Sequence, residues 1–308
     1  MSSGFQANDK FLFLGGAPKC GTTFLHNLLK DHPQLNPSSI KETYFFIDKE
    51  HTGINRHKNF HKNGYEGFGD YFSKQKGRYF LEATSHLMYQ QTMFDTIKNL
   101  GNVKMILILR NPLKRIVSTF DFTKNNLGNI KDHKDYNFQN YSKILLAKKF
   151  EMLEGWLRNE NGNYVFRREL DYCCYYPYVK NWVDALGMEN VKVIQFEKLI
   201  KAKEKYLKEI LNWAELDGSV QLEENEKSKN KSFGIKNTWL HHQSIELAKY
   251  VPNSRLKNIV KKIYFSLQKQ NINREDQLYR IPTEMKKYFE KSNQKLEAEF
   301  NFSLEEWQ

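Results

Sequence analysis

Near its start the chain reads Phe11-Leu12-Phe13-Leu14-Gly15-Gly16-Ala17-Pro18-Lys19-Cys20-Gly21-Thr22-Thr23-Phe24-Leu25. The four leading apolar residues predict a buried strand of a parallel sheet. The glycines that follow allow a sharp turn and a close approach of the backbone to a ligand. The two threonines put hydroxyls and free N–H groups at a helix start, which is where a phosphate or a sulfate binds. The segment therefore predicts a strand, an anion-binding loop and a helix.

The lysine of this loop does not stand where a Walker A loop has it. A Walker A loop reads GxxxxGK[ST], and Gly16 and Gly21 have that spacing, but Thr22 occupies the lysine position. The lysine comes earlier, at Lys19, which gives Pro-Lys-x-Gly-Thr-Thr. We therefore predict a phosphate loop that differs from the loop of an ordinary ATPase.

Composition limits the function classes. The 308 residues suffice for one large α/β domain, and 40% hydrophobic with 27% charged residues is ordinary for a soluble protein. The net charge of +12 favours an anionic ligand, although scattered lysines also serve solubility. No nucleic-acid recognition pattern accompanies the lysines, so a nucleic-acid partner is not expected. The histidines at positions 51, 57 and 61 are irregularly spaced, so no metal site is expected either.

Sequence features also bear on the compartment. No apolar run reaches the roughly 18–20 residues that span a bilayer, and residues 1–10 lack a signal-peptide core. The three cysteines, Cys20, Cys173 and Cys174, form no disulfide framework, which fits a reducing environment. The expected location is the cytoplasm; a Golgi-type chain trimmed of its anchor is the alternative.

Apolar runs at residues 11–14, 79–82, 103–109 and 191–196 predict strands that alternate with helices. Helices are predicted over residues 141–158 and 197–213, and a loop over the polar residues 125–134. This order predicts an α/β fold, a P-loop-type parallel sheet flanked by helices, with a mostly helical C-terminal part. We expect a single domain over residues 1–308. Its nucleotide-binding core covers about residues 8–215 and its helical part about residues 238–308.

Four segments in order resemble sulfotransferases that use 3′-phosphoadenylyl sulfate (PAPS), of the heparan-sulfate or bacterial type. The loop around Lys19 resembles their 5′-phosphosulfate loop. Residues 41–46, Lys-Glu-Thr-Tyr-Phe-Phe, resemble Lys-Glu-Pro-His-Phe-Phe, and residues 110–118 resemble the 3′-phosphate element Arg-(Asn/Asp)-Pro-x-x-Arg-x-x-Ser. Residues 285–307 are similar to the family's C-terminal helix and final Trp.

The resemblance implies how the nucleotide is held. Lys19 would stabilise the leaving phosphate, and Arg110 and Ser118 would bind the 3′-phosphate; Arg115, between them, has either a binding or a structural role. A basic loop that closes over the nucleotide in related enzymes corresponds here to Lys231. The 5′-phosphate would be held by Lys19, Gly21, Thr22, Thr23 and Phe24.

The resemblance also implies the base. Glu42 would take the proton of the acceptor, and Lys41 beside it would be a further catalytic residue that contacts the sulfate. The family's Glu-Lys-Ser-Pro is replaced here by residues 82–85, Glu-Ala-Thr-Ser, so one basic group is missing. His86 follows directly, and cytosolic aryl and steroid sulfotransferases use a histidine base. His86 is therefore the second candidate for the base.

The function implied is transfer of a sulfuryl group from PAPS, the co-substrate, to an acceptor hydroxyl of a glycan or a small-molecule alcohol, with 3′,5′-ADP as product. One alternative is a P-loop kinase of small molecules, which would need a lysine after Gly21 and a carboxylate for magnesium. Another is a non-catalytic protein that binds anions or glycans. The sequence favours no particular acceptor and no oligomeric state.

Overall fold

The structure is a computed structural model that describes residues 5, 8–73, 79–125, 136–157, 163–220, 234–235, 237, 240, 243–244, 264, 266–270 and 281–307. The chain divides into two compact units. The first comprises Met1–Asn111, Cys174–Asn230 and Glu290–Gln308, and the second Pro112–Cys173 and Lys231–Phe289.

A five-stranded parallel sheet forms the centre of the first unit. Its strands are β1 (Lys10–Gly16), β2 (Leu35–Pro37), β3 (Tyr79–Glu82), β4 (Asn102–Leu109) and β5 (Val191–Gln195), in the spatial order β2-β3-β1-β4-β5. All neighbouring pairs run parallel. The predicted α/β class with a parallel sheet flanked by helices is confirmed. The sequence pattern does not predict β2, a three-residue edge strand that ends in a proline.

Burial explains why β1 and β4 are the strands that the sequence marks most clearly. The side chains of residues 11–14 of β1 and of residues 105–109 of β4 have no exposed surface. A strand with neighbours on both edges and helices on both faces is apolar along its whole length, without the alternation of a half-exposed strand. These two strands therefore show as continuous apolar runs.

The helices follow in chain order. They are α1 (Thr22–Leu29), α2 (Phe60–Asn63), α3 (Glu66–Gly69), α4 (Gln91–Thr96), α5 (Pro112–Asn125), α6 (Phe138–Ala147), α7 (Glu151–Glu154), α8 (Asn163–Phe166), α9 (Glu169–Cys173), α10 (Tyr175–Leu186), α11 (Phe196–Lys201), α12 (Lys203–Trp213) and α13 (Thr283–Phe300). A short antiparallel pair, β6 (Gly234–Ile235) and β7 (Lys269–Gln270), belongs to the second unit. Among the described residues, no helix is both long and apolar enough to cross a bilayer.

Two predicted helices are each divided in the structure. The helix predicted over residues 197–213 is α11 followed by α12, because Ala202 leaves the helical region with φ −133° and ψ 53°. The helix predicted over residues 141–158 corresponds to α6 and α7, since Lys148 ends α6 in the left-handed conformation at φ 55°. Residues 126–134 of the loop predicted at residues 125–134, and about half of the helical part predicted from residue 238, lie outside the described residues.

Arg115 has a structural role within the second unit. Its side chain has no exposed surface, and its Nη1 lies 2.7 Å from the sulfur of Cys173. Its Nη2 donates to Glu169 Oε1 at 3.3 Å, and Glu169 is equally buried. A buried charge needs a partner of opposite sign, so Arg115 and Glu169 stabilise each other inside this unit.

His26 lies on the buried face of α1 in the first unit, with 6% of its surface exposed. Burial, with the nearby charge of Lys41 adding to it, lowers the pKa of His26 from 6.5 to about 4. The folded protein therefore keeps this imidazole neutral at a pH at which the unfolded chain binds a proton to it. The consequence is a loss of stability as the pH falls from about 6.5 towards 4.

We expect His26→Leu to reduce the acid sensitivity of the fold. The wild type should lose about 2–3 kcal/mol more unfolding free energy than the variant between pH 7.5 and pH 4.5, because a leucine has no proton to bind. Urea unfolding at a series of pH values measures this difference. The control is His57→Leu, which changes an exposed histidine and should leave the wild-type slope unchanged. Equal slopes for wild type and His26→Leu would contradict the expectation.

Candidate active site

The predicted site residues of the first unit gather at the carboxyl edge of the parallel sheet. The loop after β1 carries Lys19, the segment after β3 carries His86, and Arg110 directly follows β4. Phe196 follows β5 and begins α11. In an open parallel sheet the carboxyl ends of the strands form the crevice where ligands bind. The strand order therefore brings these loops to one edge.

The start of α1 has the features of an anion site. Thr22 is the first helical residue, and Gly21 before it is left-handed at φ 89°. Within the described residues no side chain caps this end, and the first turn contains no acidic residue. The first N–H groups of α1 therefore have no intrahelical acceptor, and the positive end of the helix dipole lies there. Thr23 and Phe24 are half-buried beside them.

Gly21 is needed for a second reason besides its backbone conformation. A Cβ atom at this position would lie 2.8 Å from the ring of Phe196, closer than real side chains approach each other. Without that atom the loop packs directly against the aromatic ring. The residues at the start of α1 therefore fit a phosphate or phosphosulfate group.

Lys19 and Arg110 come together in the structure. Arg110 Nη1 donates to the carbonyl oxygen of Lys19 at 3.1 Å, and its guanidinium lies 4.9 Å above the centre of the Phe196 ring. Lys19 itself is half-buried and left-handed at φ 65°. Two cationic residues that are 91 positions apart in the chain thus lie at one end of the sheet.

The backbone around Arg110 is held by three other segments. The hydroxyl of Tyr175 donates to the carbonyl of Arg110 at 2.9 Å, and the N–H of Asn111 donates to Glu197 Oε1 at 3.1 Å. The indole Nε1–H of Trp307 donates to Glu197 Oε2 at 3.0 Å. The backbone carbonyl of Trp307 accepts from the side-chain amide of Asn111, also at 3.0 Å. The final Trp, part of the family resemblance, therefore supports the turn that carries Arg110.

Glu42 is surrounded by hydrogen-bond donors. Its carboxylate pairs with Lys41, accepts from the N–H of Ser85 at 3.1 Å, and accepts from the Ser85 hydroxyl at 3.1 Å. Lys41 also donates to the carbonyl of Ala83 at 3.3 Å. The side chains of Glu42 and Lys41 remain 24% and 18% exposed, so a ligand can reach both. Ser85, which the sequence does not indicate as a site residue, joins the segment after β3 to the loop that contains Glu42.

His86, the other candidate base, belongs to the same neighbourhood. Its ring centre lies 5.1 Å from that of His51, and His51 lies 5.7 Å from Tyr44. Arg56 stands 4.9 Å above the Tyr44 ring. Burial, with the nearby charge of Glu42 adding to it, raises the pKa of Tyr44 to about 12. His86 therefore lies shortly after the end of β3, and Glu42 is bound to Ser85 of the same segment. Polar and aromatic side chains surround both candidate bases.

The two remaining predicted residues are Ser118 and Lys231. Ser118 lies on α5 in the second unit, where its side chain is buried, and its role at the 3′-phosphate stays a prediction from the sequence. Lys231 lies outside the residues that the structure describes. In the described part of the chain, no three His, Cys, Asp or Glu side chains are arranged to hold a metal ion.

Comparison with known proteins assigns the family. The sulfotransferase domain family matches residues 9–296. A curated relative, the membrane-associated sulfotransferase kil1 of Dictyostelium discoideum, is 31% identical over 116 residues, a stretch that covers 35% of this chain and 22% of the relative's length. The crystal structure of a sulfotransferase from Alicyclobacillus acidocaldarius has the same fold, with a TM-score of 0.63 and 17% identity, over 97% of this chain and 98% of that one. Since the family match spans nearly the whole chain, this protein belongs to the sulfotransferase domain family.

Proposed function

We propose that this protein transfers the sulfuryl group of PAPS to an acceptor hydroxyl, on a glycan or a small-molecule alcohol, and releases 3′,5′-ADP. The observation that carries the proposal is the contact of Arg110 with the carbonyl of Lys19, beside the uncapped start of α1. This arrangement concentrates positive charge where a doubly phosphorylated nucleotide needs it. Membership of the sulfotransferase family supports the reaction type.

PAPS, when bound, supplies an activated sulfuryl group, and residues of the first unit have the chemistry to hold it. The N–H groups and hydroxyls at Gly21, Thr22 and Thr23, with the N–H of Phe24, would bind the 5′-phosphate. The ammonium of Lys19 would balance the negative charge that develops on the leaving phosphate, and Arg110 would bind the 3′-phosphate. Ser118 and Lys231 keep the roles that the family resemblance gives them.

Glu42 is the base that we propose for the acceptor. Lys41 and Ser85 both contact its carboxyl group as donors and orient it, and a carboxylate can take a proton. The acceptor hydroxyl would give its proton to Glu42 as its oxygen bonds to sulfur. Lys41, bound to the same carboxylate, would hold it in place.

The alternatives have less support. A small-molecule kinase would need a lysine where Thr22 stands, and a silent anion-binding protein would need neither Lys19 nor Glu42. For the compartment we propose the cytoplasm, because none of the three cysteines forms a disulfide.

The nucleotide preference of the protein can be tested by thermal unfolding. We expect 3′,5′-ADP to raise the melting temperature more than ATP with magnesium does, because a ligand that binds the native state stabilises it by mass action. Arg110→Ala should weaken 3′,5′-ADP roughly 10- to 100-fold and adenosine 5′-monophosphate much less, since the latter has no 3′-phosphate. The control Lys208→Ala removes an exposed charge on α12 and should bind like the wild type. Equal stabilisation by ATP with magnesium would instead favour the kinase.

The second prediction separates the two candidate bases. Glu42→Gln keeps the shape of the side chain and removes its basicity, so sulfuryl transfer should fall by roughly 10²–10⁴. His86→Asn should cost much less, and both variants should bind 3′,5′-ADP like the wild type. The transfer is measured with labelled PAPS in two separate reactions, one with a uronic-acid glycan as the acceptor and one with naphthol. If His86→Asn is the slower variant, and if the rate follows a group with a pKa of about 6.5, the base is His86.

A further inference from the structure

Glu82, the last residue of β3, is a carboxylate with 1% of its surface exposed. It accepts three hydrogen bonds. The hydroxyls of Thr43 and Thr84 donate to Oε1 at 2.8 Å and 2.5 Å, and the N–H of Thr84 donates to Oε2 at 2.9 Å. All three donors are neutral groups that lie in two loops distant in sequence. Glu82 therefore joins the loop after β3 to the loop that contains Glu42.

The direction of these bonds is determined by the backbone. The N–H of Phe45 donates to the hydroxyl oxygen of Thr43 at 3.2 Å, and the N–H of Tyr44 donates to that of Thr84 at 3.1 Å. Each hydroxyl thus accepts a backbone hydrogen bond and uses its own proton to reach Glu82. Two chains of the same kind, N–H to hydroxyl to carboxylate, end on one oxygen of Glu82. Such chains strengthen each bond by polarising the next one.

The backbone held in this way is strained. Glu42 and Tyr44 are both left-handed, at φ 62° and φ 54°, although neither is a glycine. Side chains of this size rarely adopt that region, and they stay there only where the surroundings leave no alternative. The bonds to the N–H groups of Tyr44 and Phe45 supply that restraint. These two bonds hold the backbone two and three positions after Glu42.

The other end of the network reaches Glu42 itself. Thr84, which binds Glu82 with both its N–H and its hydroxyl, is followed by Ser85, and Ser85 donates to the carboxylate of Glu42. Glu82 therefore acts on the backbone next to Glu42 and on the donor that meets its carboxylate. Burial raises the pKa of Glu82, and the bonds from Thr84 and Thr43 oppose that effect. A buried carboxylate is costly, so a purely structural site would be served better by an apolar residue.

We propose that Glu82 is the positioning residue of the general base: through Thr43 and Thr84 it fixes the loop that presents Glu42 and the serine that binds it. This inference rests on the proposed function, in which Glu42 takes the acceptor proton.

The first arm of the test does not depend on activity. Glu82→Gln keeps the size of the side chain but places an amide donor where the carboxylate accepts from Thr84. Hydrogen exchange at the amides of Tyr44 and Phe45 should become at least about tenfold faster, because the hydroxyls that accept from them lose their fixed orientation. Thr43→Val should have the same effect at Phe45, and Thr43→Ser, which keeps the hydroxyl, should restore slow exchange.

The second arm measures transfer from labelled PAPS to the glycan or naphthol. Glu82→Gln should lower kcat by about 10- to 100-fold and leave the KM for PAPS and the stabilisation by 3′,5′-ADP near wild type, since the start of α1 is a separate element. In a Glu42→Gln background the same substitution should cost less than about threefold, because a positioning residue has nothing left to position.

The matched control is Thr96→Val in α4. Thr96 is a buried threonine of the same unit, and its hydroxyl bonds the carbonyl of Thr92 at 2.7 Å. This variant should lose stability and keep both wild-type exchange at Tyr44 and Phe45 and wild-type kcat.

The outcomes separate the inference from the proposed function. Unchanged exchange in a folded Glu82→Gln protein overturns the inference, as does a full additional loss of kcat in the Glu42→Gln background. A wild type that transfers no sulfuryl group and binds no 3′,5′-ADP overturns the proposed function. In that case the exchange arm still decides whether Glu82 fixes the loop.

Discussion

The burial of β1 between β3 and β4 is the constraint on which the first unit depends. Because the strand is enclosed by apolar neighbours, polar groups have room only at its ends, and because the sheet is parallel, the carboxyl ends all lie at one edge. The loop with Lys19, the segment after Glu82, and Arg110 are the first residues that leave the apolar interior. Their proximity follows from the strand order, in which β1 pairs directly with both β3 and β4.

Charges at this edge are held mostly by neutral groups. Arg110 is oriented by a backbone carbonyl and an aromatic ring, and Glu82 by two hydroxyls and a backbone N–H. Glu42, by contrast, meets a cation, Lys41, in addition to Ser85. The carboxylate with a charged partner is also the one that stays accessible.

The sequence predicted the parts of the site that are local in the chain. The strand, loop and helix around Lys19, and the strand end at Arg110, follow from apolar runs, glycines and a proline, all within a few residues of one another. The contacts of Glu42 with Ser85 and of Glu82 with Thr43 were not predicted, because each joins residues about forty positions apart in the chain. A contact between residues so far apart in the chain leaves no periodic pattern of apolar residues in the sequence. The division of the helices at Lys148 and Ala202 was missed for a different reason, since a single residue outside the helical region leaves the apolar pattern intact.

The hydrogen bond between the side chain of Asn111 and the carbonyl of Trp307 has a consequence for the order in which the protein folds during synthesis. The two residues are 196 positions apart, so during synthesis the strand that leads to Arg110 is complete long before its last partner exists. Closing so long a loop also costs more chain entropy than closing a short one. The carboxyl edge of the sheet therefore reaches its final form late, after translation has passed Trp307. Until then the growing chain carries a nearly finished sheet whose Arg110 turn is still without that support.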